Sequence, residues 1–552
     1  MRGGSQAKWV VAAVAVALAA TACGSNGGGN SSNGGGSSDG AAVNPAGVFS
    51  YQSGEPQRPL QPANAMENQG GRIVKQLFQG LVDYDPATGA LRNQVADKIE
   101  TTDAKHFTVT LKSGWTFHDG TKVTAKSFVD SWNWSAYTAN NQINSDWFSD
   151  IVGYDAVHPE KGDPTAKEMS GLKVVDDTHF TIDLSSPVSY FTYKLGYSAF
   201  YPLPEGFFKD PAGYGEKPVG NGPYKFVSWE HNKAITLAAY DGYAGTNKAK
   251  NGGIVFRNYT AGEAAYKDLM SDTLDVLDQV DSTDLPKYKD DLGKRAVDQP
   301  QGAIQNISFA LYNTEWTSMD KDKAAKVRQG LSMAIDRDTI TKTVLNGNRI
   351  PADAFVAPGV MGFKAGACGD ACKFDPAKAK QLITEGGGVP GGKISIQYNS
   401  DGGHKEWVDA VCNNIRQNTG VECLGDPKPD FKTSRDIVTK KQVKSMMRTG
   451  WVQDYPLNAN FLRDVYGTGA AANDAAYSSP EFDALAKEAD AATTVEKTAE
   501  LYQKAEAVLA KDMPAIPLWY YKTSSGYSNN VQNVKFDSFG NPVYTDVEVK
   551  KK

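Results

Sequence analysis

Apolar residues recur along the first half of the chain with spacings that alternate between those of helices and strands. Residues 72–81 carry apolar side chains at helical spacing, and residues 125–132 carry a second such face. Residues 106–111 and 179–184 alternate apolar and polar positions, which is typical of strands with one buried face. The two alternating segments are so alike that we predict two similar strands.

The same mixture continues to the end of the chain. Residues 326–337 and 501–509 have helical apolar faces, whereas residues 48–51 and 516–521 are typical of strands. Gly330 falls inside the first of these helices, where glycine costs about 1 kcal/mol relative to alanine. We therefore predict an α/β fold. Because no second low-complexity linker follows residue 43, its domains must be joined by short crossings or built from discontinuous segments.

The N-terminus is typical of an exported protein. Arg2 and Lys8 precede an apolar run, residues 9–20, that is too short to cross a bilayer as a helix. We predict a signal peptide over residues 1–22. The run ends in Ala-Thr-Ala before Cys23, which resembles a bacterial lipobox with Ala where that motif usually has Leu. Cys23 is the predicted lipidation site, and the alternative is an ordinary cleavage site.

A linker over residues 23–43 follows, composed almost wholly of Gly, Ser and Asn. Such a composition gives a flexible chain. The 552 residues include 58 Lys and Arg against 64 Asp and Glu, for a formal net charge of -6. This balance argues against nucleic acid as a partner, because phosphate binding favours a basic surface. A lipid anchor is the only membrane contact that we expect.

Four further cysteines are Cys368, Cys372, Cys412 and Cys423. An even number in an exported chain indicates disulfides, for which three connectivities exist. We favour the local pairs, Cys368 with Cys372 and Cys412 with Cys423. A metal site at the first pair is the alternative, although no paired His or second close Cys pair accompanies it. We expect no metal and no cofactor.

The segment from Arg448 to Pro456 concentrates binding chemistry in nine residues, Arg-Thr-Gly-Trp-Val-Gln-Asp-Tyr-Pro. An acid beside aromatic rings can hold a cationic group out of water. An arginine can bind a carboxylate through two parallel hydrogen bonds. The segment therefore predicts a site for a zwitterion such as a short peptide.

Several segments match one family in order along the chain. Residues 76–82, 115–121 and 128–132 resemble its N-terminal half, residues 220–224 and 327–337 its middle, and Asp-Met-Pro-Ala-Ile-Pro-Leu-Trp at 512–519 its end. The family is solute-binding protein family 5 of ABC importers, which includes oligopeptide- and dipeptide-binding proteins. The resemblance runs from about residue 48 to the C-terminus.

This resemblance implies the large three-domain, type II variant of the periplasmic-binding-protein fold, with two lobes, a ligand cleft and a hinge. Residues 44–85, 215–305 and 512–552 would form a discontinuous domain of lobe 1. Residues 86–214 would form a small inserted domain of that lobe, and residues 306–511 the domain of lobe 2. The implied function is capture of short peptides outside the cytoplasm, on the outer face of the cytoplasmic membrane, for delivery to ABC permease subunits. We expect a monomer.

The resemblance also assigns roles to single residues. Asp454 matches an aspartate that pairs with the peptide α-ammonium, and the backbone of Gly450 and Val452 would pair with the peptide main chain. Arg448 and His404 match residues that receive the C-terminal carboxylate of some peptides. Val452 stands where one branch of the family has cysteine, so the ligand length stays open.

Each of these residues also has a purely structural interpretation. Asp454 could cap a helix or a turn, Arg448 could form a surface ion pair, and His404 could cap a helix that begins near residue 405. Trp451 could belong to the core instead of the pocket. Glu55, next to the first strand, is a weaker candidate for the cleft.

Two other classes of function would make different demands on the sequence. A secreted hydrolase would require motifs such as Gly-x-Ser-x-Gly or His-Glu-x-x-His, and the sequence contains neither. We therefore expect no enzyme. A binder of oligosaccharides, opines or nickel complexes would keep the fold. A sugar binder would rely on stacked Trp and Tyr rings and would not need the acid at Asp454.

Overall fold

Strands from both halves of the chain supply the sheets. The structure is a computed structural model that describes residues 42–65, 67–281, 283–470 and 472–551, with the side chain of residue 401 left out. The predicted signal peptide, Cys23 and all but the last two residues of the predicted linker lie outside the described residues. Residues 42–552 form one compact unit.

The strands are β1 Val48–Ser53, β2 Val82–Tyr84, β3 Leu91–Asn93, β4 Ala96–Glu100, β5 His106–Leu111, β6 Leu172–Val174, β7 His179–Asp183, β8 Tyr224–Glu230, β9 Ala234–Ala239, β10 Gly253–Asn258, β11 Ala296–Phe309, β12 Arg349–Pro351, β13 Lys393–Asn399, β14 Glu422–Lys428, β15 Met446–Val452, β16 Ala515–Gly526, β17 Val531–Gln532 and β18 Glu548–Val549.

The α-helices are α1 Asn68–Leu77, α2 Ala125–Ala136, α3 Tyr154–Val157, α4 Phe191–Lys194, α5 Pro211–Glu216, α6 Gly262–Met270, α7 Tyr288–Leu292, α8 Thr314–Thr317, α9 Lys321–Met333, α10 Arg337–Thr339, α11 Pro376–Glu385, α12 Lys405–Thr419, α13 Phe431–Thr439, α14 Asn458–Tyr466, α15 Pro480–Asp490 and α16 Val495–Asp512. No helix in the described part of the chain combines the length and the apolar composition of a membrane span.

Three sheets organise the described chain. A six-stranded sheet has the order β12-β16-β11-β15-β13-β14, and a four-stranded sheet has the order β1-β10-β9-β8. A second four-stranded sheet, β4-β5-β7-β6, is antiparallel. In it the two similar strands predicted from sequence, β5 and β7, pair directly, with Val109 opposite Phe180. Both side chains are buried, as their alternating pattern predicts.

The helix predicted over residues 72–81 begins earlier and ends earlier than its apolar face indicates. It spans Asn68–Leu77, and the Glu67 carboxylate caps its start by accepting a hydrogen bond from Gly70 N–H at 3.1 Å. At its other end the Gly222 N–H donates to the Leu77 carbonyl at 2.8 Å. The glycine-rich loop of residues 220–224 therefore takes over a carbonyl that a longer helix would have used, and a Cβ at Gly220 would lie 1.8 Å from that oxygen.

The helix predicted over residues 326–337 is also shifted, to Lys321–Met333. Its two arginines are structural, as predicted. Arg328 donates to the carbonyls of Asp512 and Met513, the latter at 3.0 Å, and Arg337 donates to the Pro517 carbonyl at 2.8 Å. Both arginines thereby tie this region to the end of α16 and the start of β16.

Both predicted local disulfides are present, Cys368–Cys372 and Cys412–Cys423. The first uses both thiols that a metal site at this pair would have required. The second links α12 to β14, at the edge of the six-stranded sheet.

Two long strands, β11 and β16, pair antiparallel within the large sheet and extend beyond β15. Residues 304–308 of β11 pair with β16 on one edge and with β15 on the other. Residues 296–300 pair with β16 in a part of β11 to which the pairing with β15 does not extend. The register shifts between Pro300 and Ile304. The domain borders predicted at 305/306 and 511/512 fall within or beside this strand pair, and the division into lobes stays a prediction.

Candidate functional site

The candidate binding segment lies at the end of β15, where the six-stranded sheet opens. Along one edge, β15 pairs with β11 from Met446 to Val452. Along its other edge, the described pairing with β13 covers only Met446 and Met447. The backbone from Arg448 to Val452 therefore presents an edge that an extended chain could extend by strand pairing.

Asn460, in the first turns of α14, organises the segment. Its Oδ1 accepts hydrogen bonds from Trp451 Nε1 at 3.0 Å and from the Asp454 N–H at 2.8 Å. Its Nδ2 donates to Asp454 Oδ2 at 3.2 Å and to Asp464 Oδ2 at 3.0 Å. The Asn460 side chain is buried, so the indole and the carboxylate are held in a fixed relationship.

Asp454 is a half-buried acid without an ion-pair partner among the described residues. Burial raises its pKa to about 7, and the neighbouring carboxylates of Asp464 and Asp146 act in the same direction. The hydrogen bond from Asn460 and the more distant Lys75 ammonium oppose this rise. The environment therefore disfavours the carboxylate until a cation approaches it.

Asp454 lies between two cavities. The first, which we name the Lys75 cavity, has a volume of about 170 Å³ and is lined by residues of α1, residues 452–454 and the loop around Phe539. The second, the Asp146 cavity, has a volume of about 250 Å³ and is lined by Trp147, Lys194 and Trp451 among others. A ligand ammonium could reach the carboxylate from either side.

Aromatic rings and charges surround the Asp146 cavity. Trp147 stacks on Tyr197 with ring centroids 3.8 Å apart, and the Lys194 ammonium lies 5.6 Å from the Trp147 ring. Lys194 also forms an ion pair with Asp150. This wall is therefore rigid, aromatic and partly neutralised.

Arg448 lies in a third cavity, which we name the Arg448 cavity, of about 210 Å³. Its Nε donates to Gln305 Oε1 at 3.3 Å. Nearby, Arg435 and Asp474 form a salt bridge at 2.5 Å that also lines this cavity. Trp451 lines both the Arg448 cavity and the Asp146 cavity, so it is shared by the cavities that contain Arg448 and Asp454.

The remaining predicted residues of the segment have distinct roles in the fold. Val452 is 54% exposed and lines the Lys75 cavity beside Asp454. At Gly450, a Cβ would lie 2.8 Å from the Ile304 carbonyl. The glycine therefore permits the close approach of β11, a reason that the sequence alone did not indicate. Trp451 is half-buried and combines structural and cavity-lining positions.

His404 and Glu55 do not line the cavities that contain Asp454. His404 is buried, and its Nδ1 accepts a hydrogen bond from Trp407 Nε1 at 3.1 Å. It occupies the residue before α12, as the capping interpretation predicts, but its ring does not cap that helix. The Glu55 carboxylate accepts hydrogen bonds from Trp229 Nε1 at 3.1 Å and His231 Nδ1 at 2.9 Å. It thereby fastens the β8–β9 hairpin.

Sequence reasoning missed Asn460, Lys75 and Asp146. Asn460 and Asp464 are one helical turn apart just after the binding segment, and that spacing could have indicated a polar helix face directed at it. Lys75 and Asp146 come from distant parts of the chain, and no local pattern connects them with Asp454.

Curated relatives cover nearly the whole chain. The chain is 27% identical to the oligopeptide-binding protein OppA of Bacillus subtilis over 515 residues, which is 89% of this chain and 90% of the relative. It is also 27% identical to the periplasmic oligopeptide-binding protein OppA of Salmonella typhimurium, over 87% of this chain and 90% of the relative. The dipeptide-binding protein DppE of Bacillus subtilis is 24% identical over 83% of this chain and 84% of its own length.

Solved structures share the fold. The murein tripeptide-binding protein MppA in its unliganded open form superposes with a TM-score of 0.78 at 22% identity, covering 93% of this chain and 99% of that one. OppA of Haemophilus influenzae, in complex with RPPGFSPFR, gives a TM-score of 0.71 at 22% identity, covering 92% and 100%. The predicted α/β fold of the periplasmic-binding-protein type is confirmed.

The family profile described as "Bacterial extracellular solute-binding proteins, family 5 Middle" matches residues 90–473. This match takes in well over half of the 552 residues. The protein therefore belongs to family 5 of the bacterial extracellular solute-binding proteins.

Proposed function

We propose that this protein captures short peptides in a cleft and delivers them to an ABC importer. Asp454 is the receptor for the peptide α-ammonium. The observation that carries this proposal is a half-buried carboxylate with a pKa raised to about 7, held by Asn460 between two cavities and lacking an ion-pair partner among the described residues. A ligand ammonium would supply the opposite charge that the protein does not place beside this carboxylate.

The open edge of β15 favours a peptide over other ligands that carry a cationic group. An extended peptide would pair its main chain with Gly450 and Val452, while its side chains enter the flanking cavities. Trp451 would line the path, and Arg448 would receive the C-terminal carboxylate of ligands of suitable length. His404 and Glu55 have satisfied structural contacts, so we give them no direct part in binding.

The arrangement of lobes stays as proposed from sequence, with one refinement. The Lys75 cavity is lined by residues of the proposed lobe 1, from α1 and the Phe539 loop, and by Val452 and Asp454 of the proposed lobe 2. We propose that β11 and β16 carry the hinge, because their register shift lies between the two regions that they join.

We further propose that the protein is exported by its signal peptide and anchored through an acylated Cys23 to the outer face of the cytoplasmic membrane. The linker over residues 23–43 would hold the folded body near the permease subunits, as a monomer. The order of apolar run, small residues and cysteine supports this proposal. Val43, the last residue of the proposed linker, pairs with Lys550, so the linker would leave the folded body beside Lys550.

The decisive experiment is a calorimetric panel on the purified protein. Peptides of two to six residues should bind, whereas oligosaccharides, an opine and a nickel chelate should not. Binding of a sugar or a nickel complex without any peptide would replace the proposed ligand and leave the fold assignment intact. Mass spectrometry of the peptides after incubation tests the non-enzymatic role, and cleavage products would contradict it.

A further inference from the structure

Lys75 is a cation in the Lys75 cavity that the proposed function does not use. It lies in the last turn of α1, half-buried, with its ammonium 5.0 Å from the centroid of the Phe539 ring. Among the described residues it forms no ion pair and no hydrogen bond through Nζ. Burial lowers the pKa of Lys75, while the carboxylates of Asp537 and Asp454 oppose that change.

Two other charged groups that line this cavity, Arg72 and Glu67, have protein partners. Arg72 pairs with Asp278 at 2.7 Å and donates to Asn541 at 2.7 Å. Glu67 accepts hydrogen bonds from the backbone N–H groups of Gly70 and Gln57. Lys75 differs from them because its three donors are left for whatever enters the cavity.

The cavity therefore contains both an acid and a cation that are available to a ligand. Asp454 and Lys75 both line it, and the two do not approach closely enough to form an ion pair. The volume of about 170 Å³ is many times the roughly 15 Å³ that one water requires, so a ligand group of several atoms fits between them. Partial burial strengthens the interaction of each charge with its ligand counterpart.

We infer that Lys75 binds a ligand carboxylate placed close to the α-ammonium, and so selects ligands that carry both charges at one end. This inference rests on the proposed function, because it takes Asp454 as the ammonium receptor. Two kinds of peptide supply this chemistry: those with an acidic first residue, and dipeptides, whose C-terminal carboxylate follows directly. A first residue with a neutral side chain in a longer peptide leaves Lys75 unpaired.

The test is isothermal titration calorimetry on the full chain at pH 7.5 with matched ligands. Glu-Ala-Ala amide is compared with Gln-Ala-Ala amide for the side-chain source, and Ala-Ala with Ala-Ala amide for the C-terminal source. In at least one pair the carboxylate form should bind about tenfold to a hundredfold more tightly, as expected for a charge-assisted hydrogen bond. Lys75→Met should reduce that ratio to about one, whereas Lys497→Met, at an exposed lysine of α16, should preserve it.

Equal affinities within both pairs for the wild-type protein would overturn the inference and leave peptide capture intact. A ratio that survives in Lys75→Met would also overturn it. Tightest binding of Lys-Ala-Ala amide would favour the Asp146 cavity as the side-chain subsite and contradict the role of Lys75. If neither these ligands nor Ala-Ala-Ala bind, the proposed function itself fails, and the inference fails with it.

Discussion

Asn460 and Asp454 exchange two hydrogen bonds. The backbone N–H of Asp454 donates to Asn460 Oδ1 at 2.8 Å, and Asn460 Nδ2 donates to Asp454 Oδ2 at 3.2 Å. The same Oδ1 accepts from the Trp451 indole at 3.0 Å. The buried side chain of Asn460 therefore fixes both the acid and the aromatic ring of the candidate site.

Replacing Asp454 by Ala should weaken peptide binding by a factor of about 10² to 10⁴. Removing one partner of a buried charge pair costs about 3–5 kcal/mol, because the ligand ammonium is left buried and unpaired. Calorimetry with Ala-Ala-Ala measures this loss. The thermal midpoint of the ligand-free protein should not fall comparably at pH 8, since the ionised acid is unfavourable there in the empty site. Unchanged affinity would remove Asp454 from the binding site.

Peptide affinity should depend on pH through the same carboxyl. The pKa of Asp454 is about 7 in the empty protein, and a bound ammonium would keep the group ionised. Below pH 7 the dissociation constant should therefore rise about tenfold per pH unit. Above about pH 8 affinity should fall again, because the α-amino group of the peptide loses its proton. Binding measured from pH 5.5 to 9 should show this maximum.

Folding stability should decrease as pH rises towards 7, whereas peptide affinity should increase over that range. The pKa of Asp454 is raised above its unfolded value of about 3.9, so the folded state binds the proton more tightly. The contribution of this group to the free energy of unfolding therefore decreases as pH rises from about 4 to 7. Burial also raises the pKa of Glu506 to about 7. Asp454→Asn separates the two, since it should flatten the low-pH limb of the binding profile and leave the Glu506 contribution to unfolding.

Sequence reasoning succeeded where the determining contacts are local. Asp454 and Trp451 are three residues apart, and apolar spacing located β5, β7 and α16 because a single face decides their burial. It could not identify contacts that the folded chain alone creates. Lys75 reaches the cavity from α1, and the end of that helix is set by Gly222 from a remote loop. His404 was expected at the ligand, and its Nδ1 accepts a hydrogen bond from Trp407 that the sequence did not indicate.

Asn460→Ala should shift the pH profile of binding, which a purely structural residue would not do. The hydrogen bond from Asn460 lowers the pKa of Asp454, so its loss should move the low-pH midpoint of binding above 7. The substitution also leaves the Trp451 indole without its acceptor, at a cost of about 1–3 kcal/mol in the free energy of unfolding.

The matched control for this variant is Asn458→Ala. Asn458 is fully buried on the same helix and donates to the Ala499 carbonyl at 2.9 Å, away from Asp454. This variant should lose a similar amount of stability without moving the midpoint of the binding profile. An identical shift in both variants would show that disturbance of α14, and not the contact to Asp454, sets the pKa.

Gly330→Ala tests the packing of α9 against α11. Helix propensity alone predicts a gain of about 1 kcal/mol, but a Cβ at this position would lie 2.8 Å from the Ala379 carbonyl and 2.8 Å from Ile383 Cγ1. Because the clash includes backbone, overpacking should dominate and lower the free energy of unfolding by about 1–3 kcal/mol. Gly71→Ala, where the nearest atom is 3.9 Å away, should instead raise it by about 0.5–1 kcal/mol. Chemical denaturation of both variants measures these changes, and a stabilised Gly330→Ala would mean that the two helices can separate without cost.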